Sequence, residues 1–498
     1  MSDATAPLLR RDVSVDSQET QPSDDNARNE PDPPLDDHKT QWRGLVICGV
    51  LMFLTTSMGQ ALAVAGWPYL RTIDPEVSVS FLGYVQALTR FANAIGCCLF
   101  AIHAYTTKTF KKALIIGRVI SLIGCAFYIL IEFFPPSSRR WAYMLKFVLQ
   151  AVAEGSLIVV RSYVPRMSRD EDRPRAYSIV NGANMLAVVS GPLVQLICNY
   201  AFSPESFLML GTSIKFNMYT VPIWISLALN CVTLYISIFH FQEPELEETE
   251  GDAQMPLGEA MGKAWHQIKQ LDKLLLGLCF IEKSCVSCGF VVMYTMMSPY
   301  VTEAFNLSED KALHLLSIGQ SAAGCISLLT VALFVFSPLA RIAKARYLFP
   351  FALLCYSLMY LISFPIPGIT EDIPLRNNVT APFGCDAARY SWCIDGFKIT
   401  QRYVWLALCS LLFGVGIPVS LISFDTIYAK VLGGIDQNIM QGLLIIVDDI
   451  ALAGAPVIAT RCFEVFGPGP MWLSVAGICT VGLVLWLAFL PKLRKSNI

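Results

Sequence analysis

The 498-residue chain is 54% hydrophobic and only 15% charged, with a mean hydropathy of +0.52. These values exclude an ordinary soluble domain with a charged surface and place most of the chain in lipid. The net charge is -2, and Lys and Arg are spaced along the chain rather than gathered in a stripe, which excludes nucleic acid as a partner.

Residues 1–41, rich in Asp, Ser, Pro and Asn, carry too little apolar surface to offset the entropy of ordering and read as a disordered cytosolic tail. The first apolar run begins only after Trp42, so no cleavable leader is expected and the first helix acts as its own insertion signal. Runs of about 20 apolar residues, the length that crosses a bilayer, lie near 43–66, 79–104, 112–134, 141–164, 175–202 and 217–241. Six more lie near 273–301, 310–336, 345–365, 402–428, 437–462 and 468–490. They predict an all-α polytopic membrane protein: a six-helix half over 42–241, a cytosolic linker over 242–272, a second six-helix half over 273–490 and a cytosolic tail over 491–498. The seam between the halves is marked by the acidic stretch 243–250 and an amphipathic segment around Trp265. Lys and Arg concentrate in the connections on the side of the termini (Lys108, Lys111, Lys112, Arg166, Arg169, Arg341, Lys344, Lys492), which places both termini in the cytosol.

Two sequons agree with this orientation, because Asn306-Leu-Ser and Asn378-Val-Thr both fall in loops it makes lumenal. Most of the 16 cysteines lie inside apolar runs, where a thiol is a small apolar side chain. Cys385 and Cys393 instead share the lumenal loop of 366–401 and are expected to form a disulfide.

Weak echoes relate the halves. The first span ends Trp67-Pro-Tyr-Leu70 and the seventh Ser298-Pro-Tyr-Val301; Gln86 and Gln320 follow at similar places in the next spans. The fifth span has Gly191-Pro192 and the eleventh Gly454-Ala-Pro456. Carriers with such repeats bind solute near the membrane midplane, between the halves.

A charge at the bilayer centre costs about 2.5–3.5 kcal/mol on the insertion scale, so intramembrane ionisable groups face a cavity or a partner. In the fourth span Lys146, Gln150, Glu154 and Arg161 fall within about 80° of one another at 100° per residue. In the second, Gln86, Arg90 and Asn93 share a face, and Arg90 is a candidate ion partner for Glu154. The second half contributes Glu282, Lys283, Asp425, Asp448 and Asp449, with Gln441 on the same face as Asp448. One reading has Arg90, Lys146 and Arg161 attracting an anionic solute while Glu154, Asp425 or Asp448 exchange protons; the other makes them structural ion pairs. Gly414-Val-Gly416-Ile-Pro418 in the tenth span permits either a gating bend or close helix packing. No HExxH, GxSxG or GxxxxGK[ST] motif is present, so neither an enzyme nor a cofactor is expected.

Gly182, eight residues, then Gly191-Pro192 resembles the antiporter-type motif of the major facilitator superfamily. More specific strings, Gln41-Trp-Arg43, Trp67-Pro-Tyr-Leu70, Ser80-Phe-Leu-Gly83, Val159-Val-Arg-Ser-Tyr163, Asn217-Met-Tyr-Thr220, Gly384-Cys385, Trp392-Cys393 and Tyr428-Ala-Lys430, resemble the lysosomal major facilitator superfamily domain-containing protein eight (neuronal ceroid lipofuscinosis type seven) family. That resemblance implies a lysosomal membrane protein moving a small organic or anionic solute, or else an anion channel. Pro7-Leu8-Leu9, with Asp3 upstream, is similar to the family's acidic dileucine signal and implies sorting adaptors as partners.

Overall fold

The computed structural model describes residues 40–495, apart from 108, 169–171, 204–206, 209–214, most of 244–270, 337–343, 366–367, 378–381, 395–397 and 433–436. Leu8, Leu9, Asn378 and most of the expected linker lie outside the described residues, as does the Gln441 side chain. Among the described residues, twelve helical spans are long and apolar enough to cross a membrane. Their outer faces carry side chains such as Ile197, Leu329, Ile458 and Val484. So much apolar surface facing outward is stable only in lipid.

The first half holds α1 (Trp42–Ile73), α2 (Val79–Thr107), α3 (Phe110–Ile129), α4 (Pro136–Gly155), α5 (Ile158–Met167), α6 (Arg173–Ala201) and α7 (Val221–Phe239). The second holds α8 (Lys273–Ala304), α9 (Glu309–Phe336), α10 (Ala345–Ser363), α11 (Arg402–Leu432), α12 (Gln437–Leu452), α13 (Ala455–Phe466) and α14 (Pro468–Lys495). Equivalent pairs pack in both: α2 on α4 as α9 on α11, α3 on α4 as α10 on α11, α3 on α7 as α10 on α14, and α1 on α7 as α8 on α14. The halves meet along two seams, α6 with α9 and α2 with α12 and α13.

Local chemistry sets several boundaries. The sixth span starts later than expected because the Asn217 side chain accepts from the Tyr219 and Thr220 amides at 3.0 Å, closing a turn before Pro222 opens α7. Asp272 caps α8, accepting from the Leu274 and Leu275 amides at 3.0 and 3.3 Å. Two expected single helices are broken. The fourth span divides at Ser156-Leu157, where Gly155 lies against the backbone of Gly96 and Cys97; a Cβ there would sit 2.5 Å from the Cys97 nitrogen. The eleventh divides at Ala453-Gly454, just before Pro456.

The repeated Pro-Tyr pairs occupy equivalent places. Pro68 and Pro299 lie inside α1 and α8, and the following tyrosines are buried, Tyr69 against Tyr128 at 4.9 Å and Tyr300 against Trp405 at 5.2 Å. At the end opposite the termini, called distal below, the connection between α10 and α11 pairs strand β3 (Thr370–Asp372) with β4 (Lys398–Thr400), antiparallel; it also holds a disulfide between Cys385 and Cys393, whose Cα atoms are 5.9 Å apart. The shorter pair β1 (Phe207–Leu208) and β2 (Lys215–Phe216) precedes α7.

Candidate functional site

Polar groups in the middle of the spans meet at the α2–α12 seam. Arg90 donates to Asp449 at 2.7 Å, and the Asn93 amide reaches the other oxygen of the same carboxylate at 2.8 Å, so one acid of the second half is clasped by two residues a helical turn apart on α2. This corrects the expected pairing of Arg90 with Glu154. Glu154 instead accepts from Gln150 at 3.1 Å, and Gln150 accepts from Ser121 at 2.9 Å. On the facing side, Tyr294 of α8 donates to Gln60 of α1 at 3.0 Å, a second contact between halves. Asp448 accepts from Ser287 at 2.7 Å. Lys283 lies within electrostatic range of both Asp448 and Asp425, and Arg161 lies within range of Asp425.

Lys146 turns into the first half, with its ammonium 4.0 Å from the Phe147 ring centre and 5.7 Å from that of Tyr128. Such ring contacts stabilise a desolvated cation in place of a carboxylate. Arg118, which hydropathy alone did not single out, is equally enclosed and donates to Thr55 at 2.8 Å and to the Ala153 carbonyl at 3.3 Å. An arginine inside the apolar run of α3 satisfied the same criterion that exposed Arg90, so that signal was present. Arg161 sits beyond the helix break, on α5. Gln86 lies on α2, half-buried, one turn before Arg90.

The two ends of the seam differ. At the distal end Arg71 of α1 pairs with Glu303 of α8 and, at 3.2 Å, with Glu309 of α9. Ser80, at the start of α2, donates its amide to Glu464 at 2.7 Å, and its hydroxyl bonds the same carboxylate. Arg389, beside the disulfide, crosses to the α1–α2 turn and donates to the Pro75 and Val77 carbonyls at 3.1 and 3.0 Å. At the terminal end the halves meet through α5 and α12, where Ile158 lies against Gly442. The polar contacts across the seam described above lie at its distal end and in its middle.

Beside the α6–α9 seam lies an apolar cavity of about 110 Å³, walled by Met185, Val189, Met293, Met297 and Phe413, with Gln60, Tyr294 and Gln320 as polar members. Pro192 and Pro418 line it too. Pro418 lacks the amide that would bond the Gly414 carbonyl, and Ser327 of α9 donates to that carbonyl at 3.0 Å instead. Gly414 also lets the helices close: a Cβ there would lie 2.8 Å from the Ala323 carbonyl. Gly191 plays the same part between α6 and α1, 2.9 Å from the Ala61 nitrogen on the same construction. Gly416 is within 3.3 Å of Cys355 on that construction, whereas Gly182 faces open space. Asn306 takes a left-handed conformation (φ 50°) in the α8–α9 turn and accepts from the Phe383 amide at 3.2 Å.

Solved transporters share this architecture. A nucleoside transporter, NupG, superposes with a TM-score of 0.58 at 13% identity, covering 89% of this chain and 98% of that one. A D-xylose-proton symporter gives 0.61 at 13% identity, covering 91% and 97%. A peptide transporter, POT, in complex with sulfate gives 0.60 at 13% identity, covering 91% and 95%. Among curated proteins, Major facilitator superfamily domain-containing protein 8 of Xenopus laevis is 20% identical over 452 residues, covering 86% of this chain and 87% of its own length. The sequence pattern of the Major Facilitator Superfamily matches residues 45–384. With twelve spans in two equivalent halves and that match over more than half its length, the chain belongs to the Major Facilitator Superfamily.

Proposed function

We propose that the chain is a secondary carrier that moves a small organic or anionic solute across the lysosomal membrane by alternating access, with both termini in the cytosol. The observation that carries this reading is the set of polar clasps that Arg71, Ser80 and Arg389 make across the distal end of the seam, the contacts that would have to break for that side to open. A carrier must hold one side shut while the other opens, whereas a channel needs a continuous path.

In this reading Arg90 and Arg161 draw solute along the seam, and Lys146 adds positive potential from behind Phe147. Glu154, Asp425 and Asp448 take up and release the driving proton, with Asp449 holding Arg90 in the present state. The distal loops face the lumen, where Asn378 and Asn306 are glycosylated, and Leu8 and Leu9 supply the adaptor signal. Resemblance to the lysosomal family supports the location, and the disulfide supports a lumenal distal loop.

The test is solute uptake into proteoliposomes, with chloride current recorded in parallel, with and without a proton gradient. Saturable, gradient-stimulated uptake is expected, falling when Glu154 or Asp448 is neutralised. A large unsaturable current without uptake refutes the carrier. A tagged protein confined to the plasma membrane refutes the location.

A further inference from the structure

The apolar cavity sits where a solute would touch both halves. Its walls come from α6 of the first half and from α8, α9 and α11 of the second, and Gln60 of α1 closes one side. Two of its polar members are already occupied: Ser327 donates to the Gly414 carbonyl, and Ser410 to the Gly319 and Leu406 carbonyls. Gln320 turns its amide to the Met297 sulfur at 3.7 Å, a weak acceptor. Tyr294 donates to the Gln60 oxygen at 3.0 Å, which leaves the hydroxyl lone pairs and the Gln60 amide N–H as the polar side of the cavity. Groups of opposite sign, Glu154 and Arg90, both lie within electrostatic range of the Tyr294 hydroxyl.

We propose that the cavity receives the aliphatic arm of a small zwitterion of the amino-acid kind, whose charged head lies at Gln60 and Tyr294 between Arg90 and Glu154. The proposal rests on the carrier reading and names its substrate class. Size and chemistry both select. An apolar cavity of about 150 Å³ holds benzene, so 110 Å³ takes an arm of about four or five carbons. A long acyl chain is too large, and a polyol would place hydroxyls against carbon and sulfur with no partners. Three methionines make the wall adaptable, which suits arms of different branching better than one rigid shape.

The test uses the purified full-length protein in detergent, with thermal unfolding recorded against glycine, L-alanine, L-valine, L-leucine, L-phenylalanine and D-xylose. Affinity should rise about fourfold per methylene from alanine to leucine, then fall at phenylalanine, with no effect of xylose. Ala323→Leu, which fills the cavity, should abolish the gain from alanine to leucine. Met293→Ala, which enlarges it, should move the optimum to phenylalanine; if the filled variant does not fold, this shift decides alone. Xylose stabilising as well as leucine, an affinity flat along the series, or no stabilisation by any probe overturns the proposal. Uptake of the same series into proteoliposomes separates the two readings. The expected thermal series without uptake upholds the site and removes the carrier, whereas uptake of xylose without leucine keeps the carrier and removes the site.

Discussion

Replacing Arg71 by Gln should loosen the distal end selectively. The Arg71 side chain is 18% exposed and its partner Glu303 only 5%, while Glu309 is 25% exposed. An exposed pair contributes about 0–1 kcal/mol, and breaking a buried one costs about 3–5 kcal/mol because a charge is left uncompensated. For a site between these limits we take about 2 kcal/mol, roughly a 30-fold shift in the equilibrium between clasped and parted distal ends. Hydrogen–deuterium exchange in lipid nanodiscs reads this directly at the α1–α2 turn, 74–77, and at the α8–α9 connection, 304–308. Exchange there should rise at least tenfold in Arg71→Gln, while the terminal ends of α1 and α8 stay as they were. Glu303→Gln added to Arg71→Gln should do less than the sum of the two, since both remove one network. Distal exchange within twofold of the parent, or strict additivity, would refute the assignment of these residues to the clasp.

Asp449→Asn strips Arg90 of its carboxylate and should slow uptake at least tenfold, with part of the loss recovered when Arg90→Gln removes the stranded cation; initial rates in proteoliposomes check this. Arg118→Met leaves the Thr55 hydroxyl and the Ala153 carbonyl without their donor and should destabilise the first half by about 1–3 kcal/mol, read as a lower melting temperature, with Arg118→Lys falling between. Asp272→Ala removes the α8 cap and should cost about 1 kcal/mol, Asp272→Asn less. A hydrogen bond from Lys492 holds the Asp272 carboxyl below its usual range. That contribution is present above the ordinary carboxylate value and lost as the pH falls through the lowered one. At this exposed site it should be small and vanish in high salt, as melting curves at two ionic strengths will show.

The spans were legible because crossing a bilayer is a property of local apolar length, written in some twenty consecutive residues. The Pro-Tyr pairs at 68–69 and 299–300 likewise announced equivalent halves and occupy equivalent places. The break at Ser156-Leu157 was not legible, since it arises where Gly155 meets Gly96 on another helix. Helical spacing correctly put Arg90 and Asn93 on one face, yet it carries no information about which helix that face meets, and Asp449 supplied the partner in place of Glu154. The cavity was silent for a different reason. Methionine and phenylalanine facing a void have the same composition as those facing lipid.

The fourth span ends its first helix inside the membrane, and the buried Arg118 guanidinium rests on the Ala153 carbonyl in the last turn of that helix. A helix C-terminus carries the equivalent of about half a negative charge, built from peptide dipoles. Arg118 is thus balanced partly by backbone, which no change of pH can neutralise. Its charge forms a constant background in the first half. Glu154, within electrostatic range of it, meets a field that stays the same in an acidic compartment and a neutral one.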